Sequence, residues 1–311
     1  MNENDYVNLL KKQHYAVFGE RRHSAAKPCT WLKKSLKNQG VCYKQAFYGI
    51  QSHRCLQMTP NIYCNQRCVF CWRVYEPKGD PVPKEWDEPR ELADASFAAQ
   101  YKLLNGFGGN PDVDEKKLRE AINPNQVALS LTGEPGGYPF LDELVGEYRR
   151  RGCSTFVVSN GLFPEMIERV RPTQLYVSLD APNEDVHKKV NVPLVKNSWE
   201  KLGETISLIR DHKSRTALRI TVVKGYNDVF PEQYAKIIEE ASPDFLEVKG
   251  YMFIGGSRQR LTIAQMPYHS YVREFATKIN EHLGYELVGE QSISRVILYS
   301  SGKEDAMIKV K

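Results

Sequence analysis

The sequence of 311 residues predicts an α/β fold built on a parallel sheet of six strand–helix units. After residue 57, short runs of apolar and β-branched residues alternate with amphipathic segments. Gly, Pro, Asn or Asp bounds each short run, as is typical of strand ends. Repeated strand–helix alternation indicates parallel strands joined by right-handed crossovers. Six units are fewer than the eight of a closed barrel.

Each predicted element follows from this alternation. The predicted strands cover residues 57–63, 126–131, 154–159, 174–179, 218–223 and 245–249. The predicted helices between them cover residues 90–104, 140–151, 164–170, 198–212 and 232–241. The predicted insertion in the first crossover consists of residues 106–111 and a helix-like segment at 113–121. A last helix at 268–283 and a strand at 294–299 are predicted after the barrel. We therefore expect a basic N-terminal segment (1–57), a barrel (58–260) and a C-terminal extension packed on the barrel (261–311).

Composition and cysteine usage exclude several classes of protein. The chain is 41% hydrophobic and 26% charged, and no apolar run reaches the length of a membrane-spanning helix. The polar first five residues lack the basic and apolar regions of a secretory signal. Six of the seven cysteines fall between residues 29 and 71, whereas a secreted disulfide framework spreads an even number through a smaller chain. We expect a cytoplasmic protein whose thiols hold metal.

Positive charge is concentrated in the N-terminal segment. Residues 1–57 hold ten Lys or Arg and three Asp or Glu, a net charge of +7, so the rest of the chain carries −2 of the total of +5. This asymmetry indicates that the segment faces a polyanion. A solvated basic helix is the alternative.

Three cysteines lie within eight residues, at Cys64, Cys68 and Cys71. This spacing can place three thiolates around one [4Fe–4S] cluster and leave the fourth iron open to a small molecule. A zinc knuckle and buried structural cysteines are the alternatives. Zinc needs a fourth ligand, and His53 and Cys55 lie on the wrong side of the trio without paired spacing.

The CxxxCxxC spacing, with an aromatic residue just before the last cysteine, resembles the signature of the radical S-adenosylmethionine (SAM) superfamily. This resemblance implies a partial (β/α)6, TIM-like radical SAM barrel with an N-terminal extension. It also implies that the open iron binds SAM, whose reductive cleavage yields a 5′-deoxyadenosyl radical.

Distinctive motifs end three of the predicted strands, where the chemistry of parallel α/β folds gathers. The second strand leads into Gly133, Glu134 and Pro135, which are similar to the motif that holds the SAM amino group. The carboxylate of Glu134 offers an acceptor for an ammonium group. The candidates for SAM or substrate contacts at the ends of the next two strands are Ser159, Asn160, Ser178 and Asp180. These four could instead cap the following helices.

A second trio of cysteines, Cys29, Cys42 and Cys55, is spaced at thirteen-residue intervals. Such wide spacing cannot form a knuckle, but a folded segment could bring the thiolates together around a second cluster with an open iron for substrate. Scattered buried thiols are the alternative. Cys153 opens a predicted strand and is expected to be a small buried hydrophobe.

From about residue 15 to 299 the chain resembles the tRNA 4-demethylwyosine synthase family. The resemblance rests on both cysteine trios and on the motifs Cys42-Tyr43-Lys44, Leu131-Thr132-Gly133-Glu134-Pro135, Tyr176-Val177-Ser178-Leu179-Asp180-Ala181-Pro182, Val248-Lys249-Gly250-Tyr251-Met252 and Gly255-Gly256-Ser257-Arg258. It implies two [4Fe–4S] clusters, SAM as cofactor and pyruvate as co-substrate. The implied reaction joins two carbons of pyruvate to N1-methylguanosine beside the anticodon of tRNA(Phe), forming 4-demethylwyosine.

The same resemblance implies roles for further groups. Lys44, two residues from Cys42, is the candidate for a Schiff base with the pyruvate carbonyl; a surface lysine of the basic segment is the alternative. The target base must leave the anticodon-loop stack. The aromatic candidates for stacking on it are Tyr43, Phe47, Tyr48, Trp72 and Tyr75, and packing in the core is the alternative for them.

The sequence also predicts the partners of the protein and leaves two alternative functions open. The sequence has no flavodoxin-like domain of the kind that eukaryotic members carry, so it resembles the short archaeal form. An external one-electron donor protein, a monomeric state and no membrane association are therefore expected. An RNA-binding iron–sulfur protein would explain the basic N-terminus but would leave the strand-end motifs without a role. A radical SAM enzyme acting on a protein is the other alternative, and the basic segment favours RNA over a neutral protein.

Overall fold

The computed structural model describes residues 2–76, 83 and 85–308. Its strands are β1 (Ala16–Phe18), β2 (Ser24–Ala26), β3 (Cys55–Thr59), β4 (Gln126–Leu129), β5 (Ser154–Ser159), β6 (Gln174–Ser178), β7 (Arg215–Val222), β8 (Phe245–Gly250), β9 (Glu286–Gln291) and β10 (Val296–Ser300). Its helices are α1 (Glu3–Lys12), α2 (Thr30–Leu36), α3 (Tyr43–Tyr48), α4 (Pro89–Leu104), α5 (Glu115–Ile122), α6 (Leu141–Arg150), α7 (Pro164–Arg169), α8 (Glu184–Asn191), α9 (Ser198–Ile209), α10 (Pro231–Ala241) and α11 (His269–Asn280). Within these ranges, no helix combines the length and the apolar character needed to cross a membrane.

All of these strands belong to one open sheet with the order β1-β2-β3-β4-β5-β6-β7-β8-β10-β9. The six strands β3 to β8 are parallel neighbours in chain order, which confirms the predicted partial barrel. Antiparallel strands extend both edges, with β1 and β2 beside β3 and with β10 and β9 beside β8. The carboxyl ends of the parallel strands therefore share one rim, and the loops that follow them can meet there.

Side chains of the parallel strands contribute alternately to two cores, because successive side chains point to opposite faces of the sheet. The outer core, against the surrounding helices, includes Val157, Leu218 and Leu246. The inner core includes Phe156, Tyr176 and Phe245, which pack with residues of α3. Helix α3 therefore fills the concave side of the sheet, as a plug inside the partial barrel.

The burial of α3 contradicts the expected role of its aromatic residues. Tyr43, Phe47 and Tyr48 are all buried in the inner core, so the expectation that they stack on an RNA base is wrong. Trp72 and Tyr75 are half-buried, and their role stays a prediction. Cys153 is buried in the outer core, which confirms its expected structural role.

The predicted and observed strand boundaries differ most at the first parallel strand. The predicted strand at 57–63 is instead β3, which begins at Cys55 and ends at Thr59. Pro60 has no N–H to donate to a sheet, and the side chain of Asn61 accepts the N–H of Tyr63 at 3.1 Å, which turns the chain into a loop. By contrast, the strand predicted at 154–159 coincides with β5.

Sequence patterning did not predict several elements, namely α1, α2, α3, α8, β1, β2 and β9. Strands β1 and β2 have three residues each, too few to show alternation. Four of the six residues of α3 are buried, so this helix lacks the polar stripe that marks a surface helix.

Candidate active site

The loop after β3 carries the first cysteine trio, Cys64, Cys68 and Cys71. The backbone at the end of α8 holds this loop in place. The N–H of Arg67 donates to the carbonyl of Asn191 at 3.1 Å, and the N–H of Val69 donates to the carbonyl of Val190 at 2.9 Å. The three cysteines are thereby presented on one short, backbone-anchored segment at the rim of the barrel.

Two side-chain amides point at sulfur atoms of this trio. Asn160 Nδ2 lies 3.8 Å from Cys64 Sγ, and Asn191 Nδ2 lies 3.7 Å from Cys68 Sγ. Burial raises the pKa of the Cys64 thiol to about 11, so this thiol ionises only with compensation from a bound metal or nearby donors. Amide donors to thiolate sulfur are the outer contacts that iron–sulfur clusters use, so the residues present fit such a cluster.

Buried charge lies behind the loop. Glu76 Oε1 accepts the N–H of Cys64 at 2.9 Å and an N–H of Arg67 at 2.7 Å, and Arg73 pairs with the other carboxylate oxygen. The loop is thus backed by two guanidinium groups and the Glu76 carboxylate. The charge of Arg73 favours the Cys64 thiolate, whereas that of Glu134 opposes it.

Glu134 joins the loop after β4 to the end of β5. Its Oε1 accepts the N–H of Gly136 at 2.9 Å and the hydroxyl of Ser159 at 2.7 Å, while its Oε2 accepts the N–H of Asn160 at 2.7 Å. Burial raises the pKa of Glu134 to about 7, although these donors favour the charged form. The carboxylate therefore organises this corner of the rim, next to the first cysteine trio.

Gly133 is required by close packing. Its φ is +67°, and a Cβ there would lie 2.0 Å from the carbonyl oxygen of Asn61. In the same contact, Glu134 N–H donates to the carbonyl of Tyr63 at 2.7 Å. Pro135 begins a short 3₁₀ turn. The motif thus clamps the loop after β4 onto the cysteine loop.

None of the four candidates at the ends of β5 and β6 caps the following helix, because Phe163 is the N-cap of α7 and Asn183 is the N-cap of α8. Ser159 and Asn160 accept backbone N–H groups two residues ahead, at 3.0 Å and 3.1 Å, as local turn-forming residues do. Asp180 Oδ1 accepts the N–H of Thr221 at 2.7 Å, and burial raises the pKa of Asp180 to about 6. Ser178 is half-buried on the concave face, in register with Arg219. The predicted residues thus line one rim, and their contacts with SAM stay predictions.

The three cysteines of the second trio lie at the starts of three separate elements. Cys29 precedes α2, Cys42 precedes α3, and Cys55 opens β3. Burial raises the pKa of Cys42 to about 11, and the charge of a Cys29 thiolate adds to that rise. Burial and the same thiolate also raise the pKa of Cys55, with Lys44 opposing. The fold therefore brings together the three cysteines and the lysine.

Among the described residues, no three His, Cys, Asp or Glu side chains converge on one point as a single metal ion requires. The cysteines of an iron–sulfur cluster bind separate irons, so they need not converge in this way. Three thiolates with a fourth position open fit a cluster better than a closed four-ligand zinc site.

Lys44 projects from α3 into the interior of the partial barrel. It is 8% exposed, and its Nζ lies 4.6 Å from the ring centroids of both Phe156 and Tyr176. Burial and the charge of Arg219 lower the pKa of Lys44 to about 8, while Glu247 opposes them. Nζ makes no hydrogen bond within the described chain. The structure therefore presents a buried amine on the same helical turn as Cys42.

Sequence reasoning missed a group of polar residues facing Lys44. Arg219 Nε donates to Glu247 Oε1 at 2.7 Å, and Tyr43 Oη donates to the same oxygen at 3.0 Å. Glu247 Oε2 is buried and finds no hydrogen-bond partner in the part of the chain that the structure describes. Lys249 lies on the same face, and burial lowers its pKa. Charged residues at alternate positions of otherwise apolar strands were the signal that could have revealed them.

Comparisons with known proteins agree with this geometry. The family model described as Radical SAM superfamily matches residues 58–241, and the one described as Wyosine base formation matches residues 240–301. The S-adenosyl-L-methionine-dependent tRNA 4-demethylwyosine synthase of Pyrococcus abyssi is 49% identical over 302 residues, covering 94% of this chain and 88% of that protein. The chain belongs to the tRNA 4-demethylwyosine synthase family. The Methanocaldococcus jannaschii synthase, 39% identical over 303 residues, covers 94% of this chain and 95% of its own length.

Solved structures of TYW1 have the same fold as this synthase-family chain. A structure of TYW1 with a lysine–pyruvate adduct bound aligns with a TM-score of 0.89 at 37% identity and covers 99% of both chains. Archaeal TYW1 aligns with a TM-score of 0.80 at 34% identity. As a member of this family, the chain is a SAM-dependent radical enzyme of wyosine base formation. The alternatives of a cluster-bearing binding protein and of a protein-modifying enzyme are thereby set aside.

Proposed function

We propose that this enzyme builds 4-demethylwyosine from pyruvate and N1-methylguanosine of tRNA(Phe), with Lys44 holding pyruvate as a Schiff base. The observation that supports this most is the position of the Lys44 amine, buried inside the barrel on the turn that begins at Cys42. A structure similar to this chain at 37% identity holds a lysine–pyruvate adduct. The adduct supports the same chemistry here.

Two sets of residues would hold two [4Fe–4S] clusters. Cys64, Cys68 and Cys71 would hold the cluster that binds SAM, and Cys29, Cys42 and Cys55 the second. With SAM bound, the first cluster would supply a 5′-deoxyadenosyl radical able to take hydrogen from an N-methyl group that no base can deprotonate. The amides of Asn160 and Asn191 donate toward sulfur, which stabilises the thiolates and orients the loop.

The residues around Lys44 suit imine chemistry on a small keto acid. The amine attacks the carbonyl carbon of pyruvate and water leaves, which requires groups that accept and donate protons. On this face, Glu247 Oε2 is a carboxylate oxygen with no hydrogen-bond partner among the described residues. Arg219 Nε holds the other oxygen at 2.7 Å. Glu247 is therefore oriented beside the site, and Arg219 and Lys249 provide positive charge suited to the pyruvate carboxylate.

The basic N-terminal segment supports RNA as the partner. Lys33, Lys34 and Lys37 lie on or just after α2, next to the second cysteine trio. Lys33 is exposed, Lys34 lies 5.0 Å from the ring centroid of Trp31, and Lys37 is 3.8 Å from Asp112. Lys33 and Lys34 form no ion pair with a described residue, and the ion pair of Lys37 is long, so these amines can reach phosphate groups. An external one-electron donor protein, a monomeric state and a cytoplasmic location belong to the same proposal.

Replacing Lys33, Lys34 and Lys37 together by Gln is expected to weaken tRNA binding and to flatten its salt dependence. Each lost phosphate contact removes about 0.7 to 0.9 from the slope of log affinity against log salt, so the slope should fall by up to about 2.7 if all three contacts are lost. Fluorescence anisotropy with labelled tRNA(Phe) at several salt concentrations measures it. The control replaces Lys201, Lys213 and Lys236, on and beside the outer helices, and should keep the slope. An unchanged slope in the first variant would place the RNA on another surface.

A further inference from the structure

We propose that an open cavity beside the first cysteine trio binds one unstacked nucleotide of the RNA, adjacent to the target base. This rests on the proposed function, because it takes RNA as the substrate. The cavity measures about 470 Å³, a size typical of ligand pockets. Its lining consists of Gln13, Lys27, Trp72, Val74, Gly255, Gly256 and Gln259. Trp72 directly follows Cys71, so a nucleotide bound there would lie next to the radical site.

Trp72 provides a fixed aromatic surface. Its ring is nearly parallel to that of buried Tyr15, with 12° between the planes and 6.2 Å between the centroids. Its backbone is fixed as well, because the N–H of Gly256 donates to its carbonyl at 2.7 Å. A Cβ at Gly255 would lie only 2.2 Å from that same oxygen. A half-buried ring held this firmly is the platform on which proteins stack unpaired bases.

Lys27 provides charge at the same place. Its Nζ lies 4.5 Å from the ring centroid of Tyr15 and 5.8 Å from that of Trp72, and it forms no ion pair with another described residue. Among the residues that the structure describes, no Asp or Glu lines the cavity. A lysine amine over an aromatic surface, without a carboxylate nearby, suits a phosphate group.

Two side-chain amides also line the cavity. Gln13 and Gln259 line the cavity, and each side chain has both a donor and an acceptor for the edge of a base. An aromatic platform, a cation and amides are the groups that bind single-stranded nucleotides, whereas a protein partner would call for a larger apolar surface. These groups favour a nucleotide, and because Trp72 directly follows Cys71 we assign the one beside the target.

The test couples a change in the protein with a change in the RNA. The probe is labelled tRNA(Phe) that carries N1-methylguanosine, intact or with an abasic sugar at one nucleotide flanking the target. We expect Trp72→Ala to weaken binding of the intact tRNA by about tenfold, Trp72→Phe much less, and one abasic tRNA to bind both wild type and Trp72→Ala equally weakly. Lys27→Gln should lower the salt slope by about 0.7 to 0.9, whereas Lys213→Gln, in the exposed turn before β7, should not.

Several outcomes would overturn the proposal. Tight binding of intact tRNA by both Trp72→Ala and Lys27→Gln would do so. Equal abasic penalties in wild type and Trp72→Ala would show that the base stacks elsewhere. If Trp72→Phe and Lys27→Gln slow reduction by the donor protein and leave tRNA binding intact, the cavity serves that protein. If wild type itself fails to bind tRNA(Phe), the proposed function fails, and this result is distinct from the others.

Discussion

Replacing Lys44 by Arg is expected to abolish formation of the tricyclic base while tRNA binding and SAM cleavage continue. Arginine keeps the positive charge but cannot form an imine, so the change removes the covalent step alone. The buried position over Phe156 and Tyr176 leaves little room for another nucleophile to substitute. Because arginine is larger than lysine, Lys44→Met serves as a second variant of similar length. Mass spectrometry of digested tRNA measures the product, and SAM cleavage is measured in the same reaction.

The matched control for this prediction is Lys249→Arg. Lys249 lies on the same face of the sheet, and burial lowers its pKa as well, so it is the natural competitor. Borohydride with labelled pyruvate should tag wild type and Lys249→Arg but not Lys44→Arg. Tagging that disappears in Lys249→Arg would move the Schiff base to that residue. Near-normal turnover by Lys44→Arg would show that product formation needs no Schiff base at Lys44.

Replacing Cys68 by Ala is expected to eliminate SAM cleavage. Loss of one thiolate from the trio disrupts the cluster that binds SAM, because the loop supplies only three protein ligands. Formation of 5′-deoxyadenosine under anaerobic, reducing conditions measures the effect. Cys153→Ala is the control, because Cys153 is buried in the outer core and takes no part in either trio. Residual cleavage in Cys68→Ala close to that of the control would remove Cys68 from the ligand set.

The corresponding change in the second trio separates the two sites. Cys42→Ala should still cleave SAM without making product, and its iron content should fall from about eight to about four per chain. Normal product from Cys42→Ala would contradict a second cluster of the proposed kind.

The sequence predicted the parallel core well because those strands are buried on both faces and are separated by clear helical periods. It could not predict α3, because a helix buried on most sides has no polar stripe. The strand-end motifs identified the rim, since glycine and acidic residues there are unusual. Arg219 and Glu247 were missed because each lies within an apolar strand, where only the alternation of faces shows that they point inward.

The site also depends on contacts between residues far apart in the chain, which a local sequence pattern cannot predict. Residues from α3, β5, β6, β7 and β8 meet on the concave face although they are far apart in sequence, as in the hydrogen bond of 3.0 Å from Tyr43 to Glu247, 204 positions away. Such long-range contacts depend on the curvature of the sheet and on the plug helix. Spacing within the cysteine loop could be recognised because its ligands are local.

The fate of the pyruvate carbons tests the central claim most directly. The holoenzyme would be incubated anaerobically with SAM, a reductant, tRNA(Phe) carrying N1-methylguanosine, and pyruvate labelled at one carbon at a time. The account predicts that the tricyclic base retains label from carbons 2 and 3, loses label from carbon 1, and forms only when both pyruvate and SAM are present. Retention of the carboxyl carbon, or formation of the base without pyruvate, would contradict it.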